Sequence, residues 1–210
     1  MIEYLLSNWL EVLGFLSGLL CVVLLIRENY LTFPIGLAYA VITIIVVWRL
    51  QLYADVVLNA YYVGMNAYGW YFWRYGGVER RAAGDLQVAR MTSRALFGSG
   101  AVIIAGSLAM GFGFATWSDA ALPYPDSFTT VASFVAMWMS ARKYLESWVL
   151  WFVVDVVQIV LYLVKGVELY AALYGIYLIM AVLGWRAWQR SVEMNTKGQH
   201  DAGQAVIGER

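Results

Sequence analysis

Residues 146–164 read ESWVLWFVVDVVQIVLYLV. A membrane-spanning helix needs about 20 mainly apolar residues, and this stretch meets that requirement with one ionisable side chain, Asp155, near its middle. On insertion scales a carboxylate at that depth costs at least about 2.5–3.5 kcal/mol. Asp155 is therefore expected to face a polar cavity or a partner rather than lipid. Trp151, Asp155, Gln158 and Tyr162 stand at i, i+4, i+7 and i+11, one face of a helix. The opposite face, with Val153, Val156, Val157 and Val160, is aliphatic.

The rest of the chain has the same character. Of its 210 residues 62% are hydrophobic and only 13% charged, and the mean hydropathy is +0.65. A soluble domain carries about 25% charged residues, so there are too few charges here to cover a surface in water. Seven apolar stretches are expected to span a bilayer: Trp9 to Ile26, Leu31 to Val47, Asp55 to Trp73, Ala95 to Thr116, Ser127 to Ser140, Glu146 to Val164, and Leu169 to Trp188. Arg74 to Arg94 and Trp117 to Asp126 read as loops, and the polar tail from Gln189 as frayed or disordered. The start of the chain lacks the basic residues and small-residue cleavage site of a signal peptide, so the first helix is expected in the mature protein. The fold class is all-α integral membrane.

Lys and Arg are unevenly divided between the two sides. One side has only Arg49 and Lys165. The other has Arg27, Arg74, Arg80, Arg81, Arg90, Arg94, Arg142, Lys143, Arg186, Arg190, Lys197 and Arg210. By the positive-inside rule the N-terminus faces outward and the C-terminus the cytoplasm.

The third and seventh stretches echo one another. Leu52-Tyr53-Ala54 and Leu169-Tyr170-Ala171 open them; Gly69-Trp70 with Trp73, and Gly184-Trp185 with Trp188, close them. The expected organisation is a first triple-helix bundle (1–73), a loop (74–94), a linking helix (95–117), a second triple-helix bundle (118–188) and a polar tail (189–210). An odd linking helix returns the chain to its starting side, so the two bundles are parallel repeats, an arrangement found in transporters.

Several side chains suit a flat, hydroxylated, cationic ligand. Trp151 and Tyr162 can stack on a ring, while Asp155 and Gln158 can hydrogen-bond hydroxyls or an amide. The alternative is an interhelical polar clamp. The third helix offers a similar face, Asn59, Tyr62 and Asn66 with Trp70 or Trp73, and the seventh offers Tyr174, Tyr177 and Trp188. Tyr170 reads as an interface anchor, and Trp73 and Trp188 suit an aromatic belt as well as a site. Glu11 reads as structural, Gly14 and Gly18 as a packing face, the single cysteine Cys21 as a small buried hydrophobe, and His200 as solvated.

Trp9-x-Glu11-Val12-x-Gly14, Leu52-Tyr53-Ala54-Asp55, Tyr68-Gly69-Trp70-Tyr71-x-Trp73 and Arg142-Lys143-Tyr144-x-Glu146-x-Trp148-x-Leu150-Trp151, with Asp155, Gly166, Tyr174, Gly184 and Trp188, resemble the PnuC family of bacterial vitamin transporters. That family resembles SWEET sugar transporters, with two triple-helix bundles joined by a seventh helix. The resemblance implies import of nicotinamide riboside across the inner membrane by facilitated diffusion, trapped by phosphorylation in the cytosol. Thiamine or riboflavin are the substrates of close relatives. One departure is Asn59, where the family commonly has glutamine. The implied partners are the vitamin and the lipid bilayer, with a homo-oligomer left open, and no cofactor is implied.

Other classes lack their requirements. There is no nucleophile–base pair or H-E-x-x-H for an intramembrane enzyme, no P-loop for an ATP-driven pump, and no lysine inside the seventh stretch for a retinal Schiff base. Zero net charge gives nucleic acid no electrostatic hold.

Overall fold

The computed structural model describes residues 9–49, 53–77, 81–82, 85–118 and 121–208. Among them are seven helices: α1 (Trp9–Ile26), α2 (Thr32–Arg49), α3 (Tyr53–Tyr75), α4 (Ser93–Trp117), α5 (Pro123–Ala141), α6 (Ser147–Val164) and α7 (Glu168–Gly208). Two short strands, β1 (Arg81–Ala82) and β2 (Asp85–Leu86), pair antiparallel between α3 and α4. The chain divides into two compact units, Met1–Val78 and Glu79–Arg210. In the first, α2 packs on both α1 and α3; in the second, α5 packs on α4 and α6, and α6 on α7.

Two elements depart from the sequence expectation. The fifth helix starts at Pro123 rather than Ser127, because proline lacks only an N–H that a first turn leaves unpaired anyway. The seventh does not end at Trp188 but continues to Gly208. Residues 189–197 are mostly good helix formers, and Gln189 Nε2 donates to Glu193 Oε1 at 3.1 Å, one turn on. The expected loop at 74–94 is also less open, holding the strand pair and a segment tied to the α5–α6 turn, described below.

Among the described residues, three helices are long and apolar enough to cross a bilayer: Ser93–Trp117, Ser147–Val164 and the Glu168–Lys197 part of α7. Leu16–Ile26 and Thr32–Ile45 are shorter apolar segments. α3 and α5 carry more polar residues, among them Asn59, Asn66, Ser127 and Thr129, all buried.

The two units contain the same local design at a constant offset of 115 positions. α1 and α5 each end in a Schellman-type turn. In the first, Glu28 N–H donates to Leu25 O and Asn29 N–H to Leu24 O; in the second, Lys143 N–H donates to Ser140 O and Tyr144 N–H to Met139 O. Glu28 (φ 55°) and Lys143 (φ 57°) both adopt the left-handed conformation that glycine usually supplies. The next bonds match too: Thr32 to Asn29 and Ser147 to Tyr144, Phe33 to Tyr30 and Trp148 to Leu145.

Helix packing repeats with the turns. The Phe33 ring covers Gly69 and meets Trp73 edge-on, centroids 5.0 Å apart at 78°. The Trp148 ring covers Gly184 and meets Trp188 edge-on, 5.4 Å apart at 88°. Phe33/Trp148, Gly69/Gly184 and Trp73/Trp188 are each 115 positions apart. A glycine lets the facing helix bring an aromatic ring onto its backbone, and edge-to-face contact is a preferred ring geometry.

Cys21 is half-buried and bonded rather than merely packed. Its carbonyl accepts from Thr32 Oγ1 at 2.8 Å, and its thiol donates to Thr32 O at 3.6 Å, bracing the α1–α2 turn.

Candidate substrate site

Two contacts set the register of the α6–α7 hairpin. Trp148 meets Gly184, each 18 residues from Gly166 in the turn; Tyr162 stacks on Tyr170, each 4 residues from it. Gly166 has φ +71°, and Val167 N–H closes the turn on Tyr162 O. Asp155 and Tyr177, each 11 residues from Gly166, therefore lie at the same depth, with Gln158 opposite Tyr174 one turn nearer the end.

The polar stripe of α6 is the covered face. Asp155 is 5% exposed, and Trp151, Gln158 and Tyr162 are half-buried. Val153, Val156 and Val160 are exposed, as a lipid-facing surface should be; Val157 is half-buried. Trp151 Nε1–H donates to Ser140 Oγ of α5 at 3.1 Å. That bond fixes the indole where α5 and α6 meet, a role for Ser140 that no local pattern around it signals. Asp155 has no hydrogen-bond or ion-pair partner among the described residues. A carboxylate so placed can accept hydroxyl or amide hydrogens, or balance a cation.

Tyr162 stacks on Tyr174 as well as on Tyr170, and Tyr174 meets Tyr177 edge-on at 5.9 Å. Tyr170, read from sequence as an interface anchor, stacks within this aromatic group. Trp188 is fully buried against Trp148 in the α6–α7 seam.

In the first unit, Asn66 is buried. Its Nδ2 donates to Tyr62 O at 2.8 Å, and its side chain lies against Gly36 of α2. Asn59 is buried on the same helix; Tyr62 is half-buried, its ring 5.9 Å from that of Tyr61. Trp73 packs on Phe33, and Trp70 is exposed. Asn59 and Tyr62 are the 115-position counterparts of Tyr174 and Tyr177, so the two halves present side chains at matching places on their last helices. Asn66, by contrast, corresponds to Ala181, and Gly36 to Trp151: the bulky partner of each pair sits on opposite helices in the two halves. The side chains of Glu11, Gly14 and His200 lie outside the described residues. No group of three or more metal-binding side chains occurs among the described residues.

Seven helices among the described residues, three of them long and apolar enough to cross a bilayer, and a covered polar face on α6 define an all-α polytopic membrane protein. Residues 8–190 match the family described as nicotinamide mononucleotide transporter, and the chain belongs to that family. It is accordingly a membrane transporter and not an enzyme. It is 28% identical over 206 residues to the nicotinamide riboside transporter PnuC of Escherichia coli, covering 88% of this chain and 86% of that protein. It is 26% identical to the riboflavin/roseoflavin transporter RibM of Streptomyces davaonensis, covering 86% and 84%. The crystal structure of the vitamin B3 transporter PnuC superposes with a TM-score of 0.69 at 25% identity, over 92% of this chain and 87% of that one.

Proposed function

We propose that the protein imports nicotinamide riboside by facilitated diffusion, with phosphorylation in the cytosol trapping the vitamin. The observation that carries the reading is Asp155: a buried carboxylate with no hydrogen-bond or ion-pair partner among the described residues, level with Tyr177 and flanked by Trp151 and Gln158. A nicotinamide riboside offers a cationic ring to the carboxylate and aromatics, and ribose hydroxyls and an amide to Asp155 and Gln158. The relatives named for nicotinamide riboside support this substrate. Asn59, Tyr62 and Asn66 complete the set on the first bundle, and Tyr162, Tyr174, Tyr177 and Trp188 on the second. The bundles are parallel repeats joined by α4, a reading supported by the 115-position match of turns and packing. The N-terminus lies outside and the C-terminus in the cytoplasm, supported by the Lys and Arg bias.

The riboflavin relative favours a second reading, a neutral flat vitamin held by the same aromatics; thiamine is a cationic alternative. Titrating the purified protein with nicotinamide riboside, thiamine and riboflavin separates them. Tightest binding of nicotinamide riboside is expected, and tighter binding of either of the others overturns the assignment. A reporter fused after Arg210 is expected to be active only in the cytoplasm; activity outside reverses the orientation.

A further inference from the structure

The α6 stripe does not end at Tyr162. The Tyr162 ring lies near-parallel to two others, with centroids 5.2 Å from Tyr170 at 22° and 5.4 Å from Tyr174 at 21°. Tyr170, level with Tyr162 and one turn nearer the hairpin end than Tyr174, is 49% exposed. From it Tyr174 and Tyr177 step along α7, one turn apart, to the depth of Asp155. The drop from Tyr170 to Tyr177 is roughly 10 Å at about 1.5 Å per residue. Beside the stack, Lys165 Nζ donates to both carboxylate oxygens of Asp126, at 2.7 and 3.0 Å, tying the α6–α7 turn to the first turn of α5. The pairing offsets the Lys165 charge at this mouth, so an approaching cation meets less repulsion.

A tyrosine that only anchors a helix at an interface needs no ring partner, since its amphipathic ring sits at headgroup level. Three stacked rings instead present π faces to one another, and these are the surfaces a flat ligand would use. Resting on the reading of the α6 face as the ligand site, we propose that Tyr170 extends that site outward, forming with Tyr162 and Tyr174 an entry subsite for a flat aromatic ring at the mouth of the α6–α7 hairpin. At these centroid distances no slot exists for a third ring between two of them. The ligand enters by displacing Tyr170, exchanging tyrosine–tyrosine stacking for tyrosine–ligand stacking, and then passes along Tyr174 and Tyr177 to Asp155.

The test is uptake of nicotinamide riboside into proteoliposomes. Tyr170→Ala is expected to raise the half-saturating concentration about 3–30-fold, while Tyr170→Phe, which keeps the ring face, stays within about twofold of the parent. An interface anchor would change the amount inserted and leave half-saturation unmoved. Should Tyr170→Ala insert poorly, Tyr170→Leu keeps apolar bulk without a ring and carries the same expectation. Parental half-saturation in an inserted Ala or Leu variant overturns the subsite. Equilibrium binding by Trp151→Ala is measured in parallel: weakened there but normal uptake in Tyr170→Ala removes the entry subsite alone, and parental behaviour in both removes the ligand reading of the stripe as well.

Discussion

The indole of Trp148 stands edge-on to that of Trp188 directly over Gly184, with no space left above the glycine. A Cβ added at Gly184 would come within 2.5 Å of the ring, and one at Gly69 would strike Phe33 in the same way. Overpacking of this kind costs about 1–3 kcal/mol. Gly184→Ala and Gly69→Ala are expected to lower the thermal unfolding midpoint in detergent by several degrees. Gly64→Ala and Gly175→Ala, which meet nothing within 4 Å, serve as controls and are expected to leave it unchanged or raise it. Equal midpoints for all four would mean that these seams yield.

Asp155→Asn keeps the shape of the side chain and removes its charge. A hydrogen bond to a charged group contributes about 1.5–3 kcal/mol, so affinity for nicotinamide riboside is expected to fall about 10–150-fold. If the carboxylate balances the cationic ring, an uncharged analogue loses less; if it serves only the hydroxyls, both lose alike. Val160→Ala, on the 55% exposed aliphatic face, is the control. Calorimetric titration that gives the parent's affinity in Asp155→Asn removes the carboxylate from the site.

Ser140→Ala deletes the acceptor for the Trp151 indole N–H without altering any aromatic surface. A typical hydrogen bond contributes about 0.5–1.5 kcal/mol, so a weakening of roughly 2–12-fold is expected. Ser140→Thr retains the hydroxyl and is expected to restore most of the affinity. Identical dissociation constants for parent and Ser140→Ala would show that Trp151 is held by packing alone.

The segment between the strands and α4 is strapped to the α5–α6 turn. Lys143, buried, donates from Nζ to Leu86 O at 2.6 Å; Ala89 N–H donates to Lys143 O and Leu145 N–H to Ala89 O; Glu146 Oε2 accepts from Met91 N–H at 2.9 Å. Lys143→Met removes the charged donor and leaves a buried carbonyl unpaired, a cost of about 1–3 kcal/mol. Limited trypsin digestion at Arg90 and Arg94 is expected to accelerate about tenfold or more. Cleavage at the parent's rate would show that the remaining strap bonds suffice.

Much of this was written in the chain locally. The apolar runs gave α1 and α6 nearly to the residue, because long apolar periodicity has few competing interpretations. The i, i+4, i+7, i+11 spacing identified the covered face of α6, because a carboxylate cannot sit in lipid. What escaped was non-local or exceptional. Pro123 looked like a loop residue and opened a helix. Glu28 and Lys143 take a conformation that normally advertises itself with glycine, so the turns gave no signal. Phe33 and Trp148, which hold the helix seams, are ordinary apolar residues until their glycines are placed beneath them. The stacking of Tyr170 on Tyr162 gave no local signal because the two rings belong to different helices.

The strap also fixes an order of assembly. Its two side-chain bonds join residues 55 and 57 positions apart, and residues 85–91 leave the ribosome well before the turn that receives them. Until Lys143, Leu145 and Glu146 have been synthesised, the carbonyl of Leu86, the backbone of Ala89 and the N–H of Met91 are without these hydrogen-bond partners. All those partners lie after the boundary between Val78 and Glu79, so the strap belongs wholly to the later-made unit. A gene divided at that boundary and translated as two polypeptides would cut none of its bonds, which makes this the natural place to split the protein.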